Sequence, residues 1–175
     1  VYKMALSFVT SANISVNVVA TCDASVECTD AEKSAYLSSG DLDDLSFVGD
    51  EATTFTLKAL SPSDREDAEQ RAGAYKRSEL GRLLWTEAPL DKHERARWHH
   101  ELTDDEREAM SDYQAYLERV YIEMLNSSLT HIDGKPADAD QVQLIRPDAQ
   151  RALTISELVV HIQRISLLGT EGKLH

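Results

Sequence analysis

Cysteine is nearly missing from this 175-residue chain, and Cys22 and Cys28 are too few for a disulfide framework or a four-ligand zinc site. They lie six residues apart in a strand-to-loop region, where two separate thiols are expected; a bridge would need an oxidising compartment. Basic residues are scarce as well: Lys+Arg number 18 against 31 Asp+Glu, a formal charge of −13. Without a segregated basic face, so acidic a surface repels a phosphate backbone, which argues against nucleic-acid binding. The same charge favours solubility and suits a basic protein partner. No apolar run approaches the roughly 20 residues of a membrane span. Asn13, Ser15 and Asn17 interrupt any signal-peptide core in the opening segment. Val19-Ala20-Thr21-Cys22 is a loose match to a lipoprotein cleavage site, with threonine a poor fit before the cysteine. The chain is therefore expected to be intracellular when made, with Met4 a candidate start because Val1 is an unusual first residue.

Catalytic motifs are also lacking. Gly134-Lys135 has neither the upstream glycine nor the following Ser/Thr of a phosphate-binding loop. Asp138-Ala139-Asp140 lacks calcium-loop spacing, and there is no nucleophile elbow. Internal repeats and low-complexity tracts are absent. No catalytic residue, metal site or cofactor is assigned from the sequence, and the reading is of a non-enzymatic protein.

What the chain does have is a long periodic segment, Thr103 to Leu129. Thr103 and Glu106 have capping-box spacing, and Asp104, Asp105 and Glu106 complement the positive end of the helix dipole. Met110, Tyr113, Leu117, Val120 and Met124 recur in steps of three and four, the spacing of a helix–helix seam, and Tyr116, Tyr121 and Leu125 widen it. A helix over 104–130 is predicted, roughly 40 Å long at about 1.5 Å per residue. Its seam is read as the core of one domain, with pairing of part of it to another chain, a homo-oligomer included, the alternative, and Leu117→Ala is expected to cost about 2–5 kcal/mol.

Around this helix the pattern predicts an α+β fold. Residues 4–9 and 14–20 read as a β-hairpin, and Thr53–Leu60 as a strand. An acidic connector carries a short helix at about 31–38, capped by Asp30 and closed by Gly40. Asp41, Asp43 and Asp44 are read as a solvated loop or first helical turn rather than a cation site. A helix should run over about 63–86, weakened at Gly73 and Gly81 and stopped by Pro89. A charged helix or linker follows at 90–102. Ile132–Pro136 reads as a turn and 141–145 as a short strand. A helix over 155–168 is opened by a second capping box, Thr154 with Glu157, and His161 is expected to be a satisfied core histidine. The chain divides into a β-rich part, 1–60, and a mainly helical part, 61–175, within one globular unit.

Two clusters carry functional readings. His93, His99 and His100 with Glu94 and Glu101 concentrate metal-binding side chains but lack the i, i+4 pair of a metalloprotease helix; a zinc site would need distant help from His131 or His161. Lys76, Arg77, Arg82, Lys92, Arg95 and Arg97 gather positive charge beside Trp85 and Trp98. Interleaved acids spoil this as a nucleic-acid site, whereas arginine with tryptophan is the composition of a protein-binding hot spot. Arg77, Arg82, Trp85, Arg95, Arg97 and Trp98 are the candidate partner-binding residues.

The order hairpin, acidic helix, strand and acidic helix over residues 14–74 resembles small proteins of the structural gene module of tailed bacteriophages. Ser38-Ser39-Gly40-Asp41 and Phe55-Thr56-Leu57-Lys58-Ala59-Leu60-Ser61-Pro62 carry the resemblance. That group includes tail assembly chaperones and minor virion proteins, which pair a small β unit with a helical remainder. The resemblance implies phage structural proteins as partners (tape-measure, tail or capsid proteins) and residence in the host cytoplasm during assembly or in the virion. The alternatives are a head or tail component, an acidic host-directed inhibitor, and a metal-dependent enzyme using His93–Glu101.

Overall fold

A computed structural model of the protein describes residues 14–73, 79–138, 141–142, 145 and 149–171. Among the described residues it is α+β, with small antiparallel sheets and six α-helices of eight residues or more. The chain divides into two compact units, one formed by residues 1–68 and 121–175 and the other by 69–120.

In unit 1, the alternation of Ile14–Ala20 produces strand β1, Ser15–Val19. It pairs antiparallel with β4, Thr54–Lys58, in a register that sets Val18 opposite Phe55 and Val16 opposite Leu57. The expected strand at 4–9 and its hairpin turn lie outside the described residues. β4 also pairs with β5, Leu129–Ile132, and β5 with β6, Lys135–Pro136, giving the order β1-β4-β5-β6. This corrects the sequence reading, in which 129–130 continued the long helix and 132–136 was only a turn. The turn itself is present and tight: Asp133 (φ 49°) and Gly134 (φ 71°) are both left-handed, as a two-residue hairpin loop requires. Asp133 is held there because its carboxylate accepts from the Thr54 amide at 2.8 Å. A second, two-stranded sheet pairs β2, Val26–Glu27, with β3, Phe47–Val48.

Helix α1, Asp30–Ser39, is capped by Thr29 rather than Asp30. The Thr29 hydroxyl accepts from the Glu32 amide while the Glu32 carboxylate accepts from the Thr29 amide, so a complete capping box wins over a lone aspartate. Gly40 closes the helix at φ 74°. The Asp41–Asp44 stretch is a 3-10 turn with Asp41 at its N-cap. Helix α6, Ala149–Glu171, packs against α1, β1 and β4. It buries Ile155, Leu158, Val159, Ile162 and Ile165, the stripe expected from the sequence. Its start lies upstream of the expected one, so Thr154 and Glu157 are inside the helix and form no capping box. Gln141 and Val142 are helical, not strand; the rest of that expected strand is described only at Ile145.

Helix α2, Pro62–Ala72, begins where Ser61 caps it through Asp64. It ends at Gly73, whose φ of +85° leaves the helical region. The single helix expected over 63–86 is therefore two, because a glycine at a left-handed position terminates a helix instead of kinking it. In unit 2 the chain continues as α3, Leu80–Glu87, and α4, Lys92–Glu101. Asp91 caps α4, accepting from the amides of His93 and Glu94 at 2.9 Å. Helix α5, Asp104–Ser128, has the expected Thr103–Glu106 capping box, with the Glu106 carboxylate 2.7 Å from the Thr103 amide. Within unit 2, α5 buries Ala109 and Val120, while Met110, Tyr113 and Leu117 are only half-buried. Within unit 1 its last turns bury Met124, Leu125 and Ser128. The Ser128 hydroxyl donates to the Lys58 carbonyl at 2.6 Å, tying the helix end to β4.

Candidate functional site

The Arg/Trp/His stretch belongs to unit 2, and its side chains point mainly to solvent. Along α3 every third or fourth position turns inward, burying Gly81 and Leu84. The other apolar residues remain outside: Leu80 is 37% exposed, Leu83 49%, Trp85 40% and Leu90, in the α3–α4 link, 95%. Four large apolar side chains in eleven residues are more than the scattered singles of an ordinary surface. Trp85 meets the Tyr113 ring edge-on at 6.4 Å between centroids, which fixes one side of the indole.

The basic residues of this stretch are only lightly engaged. Arg82 pairs with Glu79 at 3.1 Å on an exposed helical turn. Arg95 donates through Nε to the Pro89 carbonyl at 2.8 Å, and so braces the link that presents Leu90. Arg97 is exposed and Trp98 half-buried on α4, a helix that buries none of its ten residues. So short a helix without a buried face is marginal in water. Here its ends are held by the Asp91 cap and by Arg107, which donates to the His99 carbonyl at 3.3 Å. Arg77, the sixth residue of the expected surface, lies outside the described residues. His93, His99 and His100 are all exposed. Among the described residues no group of three or more His, Cys, Asp or Glu side chains is placed to hold a metal ion. Cys22 and Cys28 are not disulfide-linked. Burial raises the Cys28 thiol above its ordinary range, with Lys33 opposing.

A second constellation, absent from the sequence reading, lies inside unit 1. Glu157, only 4% exposed, reaches from α6 to the turn after β1 and to α1. Its carboxylate accepts from the Thr21 amide and the Thr21 hydroxyl, each at 2.7 Å, and forms an ion pair with Lys33. One turn on, His161 is fully buried and tilted against the Tyr36 ring at 4.8 Å. Tyr36 in turn accepts from the Val19 amide at 3.0 Å and donates to the Val19 carbonyl at 3.2 Å. Arg164 follows: Nη2 lies 3.3 Å from His161 Nδ1, and Nη1 donates to the Ser39 carbonyl at the end of α1. That helix has no basic residue in its own last turn, so α6 supplies the cation that complements its negative end.

The stripe thus joins α1 to α6 at three levels: Lys33 with Glu157, Tyr36 with His161, and Ser39 with Arg164. His161 is the core histidine expected but is satisfied only at Nδ1; its Nε2, like the Nε of Arg164, is buried without a hydrogen-bond partner. Burial first and the neighbouring Arg164 second push the His161 pKa down to about 4, so the imidazole is neutral at pH 7. The available sequence signal was the spacing 157, 161, 164, which puts three polar residues along one side of the apolar stripe. Reading Glu157 as a cap concealed it.

No family model, curated protein or solved structure matches the chain. Among the described residues no helix is long and apolar enough to cross a membrane.

Proposed function

We propose that the protein is a non-enzymatic bacteriophage assembly protein that acts through protein–protein contacts, in the manner of a tail assembly chaperone. The observation that carries the binding role is the exposed set Leu80, Leu83, Trp85 and Leu90 beside Arg82, Arg95 and Arg97. Tryptophan and arginine are enriched among the side chains that dominate binding energy at protein interfaces, and the leucines add apolar contact area. The phage setting rests on the resemblance of residues 14–74. In this reading the surface shields apolar segments of a tape-measure, tail or capsid protein in the host cytoplasm, and the charge of −13 keeps the complex soluble.

Affinity purification from infected cells, paired with mass spectrometry of purified virions, tests the proposal. A chaperone co-purifies with a tail or tape-measure protein and is absent from particles. Stoichiometric presence in particles would make it a head or tail component instead. Recovery with host proteins alone would overturn both and favour a host-directed inhibitor.

A further inference from the structure

The stripe between α1 and α6 has a property that the partner surface does not need. Its central residue is a neutral histidine sealed against a cation. Arg164 donates to Nδ1 of His161, so the ring proton resides on Nε2, and the ring has its other face on Tyr36. Taking up a proton at Nδ1 would break the Arg164 contact and set a buried imidazolium beside the half-buried guanidinium. The groups facing the ring offer little relief. From its own helix these are Arg164 and Glu157, and Glu157 is already neutralised by Lys33 and held by Thr21. From α1 Tyr36 meets the ring and Lys33 pairs with Glu157, while β1 and β4 bury apolar side chains, Val18, Val19, Phe55 and Leu57.

We propose that this stripe is an acid-released latch: protonation of His161 repels Arg164, and α1 separates from α6 while the β1–β4 pairing persists. Release would uncover the small core that Tyr36 completes with Val19, Val26, Leu45 and Ala52. The sign follows from the depressed histidine. Its stabilising effect is complete above the unfolded-state value of 6.5 and is lost as pH falls toward the folded value of about 4. At pH 5 the opening equilibrium of α1 should exceed that at pH 7.5 by about 30-fold. The latch lies wholly within unit 1 and does not depend on a role in assembly.

Hydrogen exchange of the α1 amides at pH 7.5 and 5, corrected for intrinsic rates, tests the latch. The expected result is that α1 opens about 30-fold more at pH 5, that β4 amides keep their protection, and that His161→Gln removes the pH dependence. Glutamine can still accept from Arg164 but has no titrating proton. A change below about threefold, equal opening of α1 and β4, or an unchanged pH dependence in the variant would each overturn it. Should His161→Gln not fold, NMR titration of the imidazole in the unmutated protein decides. No titration above pH 5 supports the latch, and a midpoint between about 6 and 7 in the folded protein sinks it.

Discussion

Helices α6 and α4 are both well supplied with polar and charged residues, yet one hides them and the other displays them. In α6, Glu157 and Ser166 are buried because the turn after β1, α1 and the segment after β4 bring amide, hydroxyl and ammonium groups to meet them, and His161 is buried against the Tyr36 ring. In α4 no residue is buried, and the helix survives through its end caps. The difference lies in what stands opposite. A buried carboxylate is tolerated only where donors satisfy it, and a helix without such partners keeps its charges in water. Unit 1 therefore owes its order to interior contacts. The outward residues of unit 2 have little structural work to explain them, which is why they are the better place to look for a partner.

The largest test of this contrast is a core truncation in unit 1. Leu57 is fully buried in β4, and Leu57→Ala should cost about 2–5 kcal/mol in chemical denaturation. Leu117→Ala is the instructive comparison. The sequence places Leu117 on the helix seam as if it were core, but its side chain is half-buried, and its loss should be about half as large. Equal losses would mean that the α5 seam is as well packed as the sheet. Next comes the ion pair. Glu157→Leu removes the acceptor for Thr21 and Lys33, and should cost about 3 kcal/mol, the low end for a broken buried pair because Lys33 keeps about a third of its side chain in water. A neutral result would show that the stripe is dispensable packing. A smaller effect is expected in unit 2, where Thr103→Ala removes the α5 cap at a cost of about 1 kcal/mol.

The elements were largely legible in the sequence because their signals are local. Alternation in Ser15–Val19 and Thr54–Lys58, the Thr103–Glu106 box and the α6 apolar stripe each depend on residues a few positions apart. What escaped was non-local. β5 exists because Leu129–Ile132 lies beside β4, and its four residues alone do not distinguish a strand from a helix end. Gly73 was read as a weak point, although its left-handed φ makes it a stop. Glu157 carries a capping-box signature, and only the proximity of Thr21 and Lys33, more than 120 residues away in sequence, shows its other use. The outward segment was legible in composition, but which of its leucines face water was not. Periodicity alone does not separate Leu83 from the buried Leu84.

The smallest expected effect on stability carries the most information about function. Leu90 is 95% exposed, so Leu90→Ala should change unfolding free energy by less than about 0.5 kcal/mol. Arg97→Ala, on the exposed side of α4, should be equally silent. If the α3–α4 surface is the contact region, binding should respond where stability does not. A central anchor lost from an interface typically costs about 2 kcal/mol or more, roughly 30-fold in Kd, so Leu90→Ala should weaken capture of the co-purifying partner by that order. Arg97→Ala at a solvated rim should instead change the salt dependence and the association rate more than the affinity. Trp85→Ala is a poorer probe, since it also removes the edge contact with Tyr113 and would mix a stability loss with a binding loss. Two substitutions that leave the melting curve in place and also leave partner affinity in place would remove the reason for assigning the contacts to unit 2.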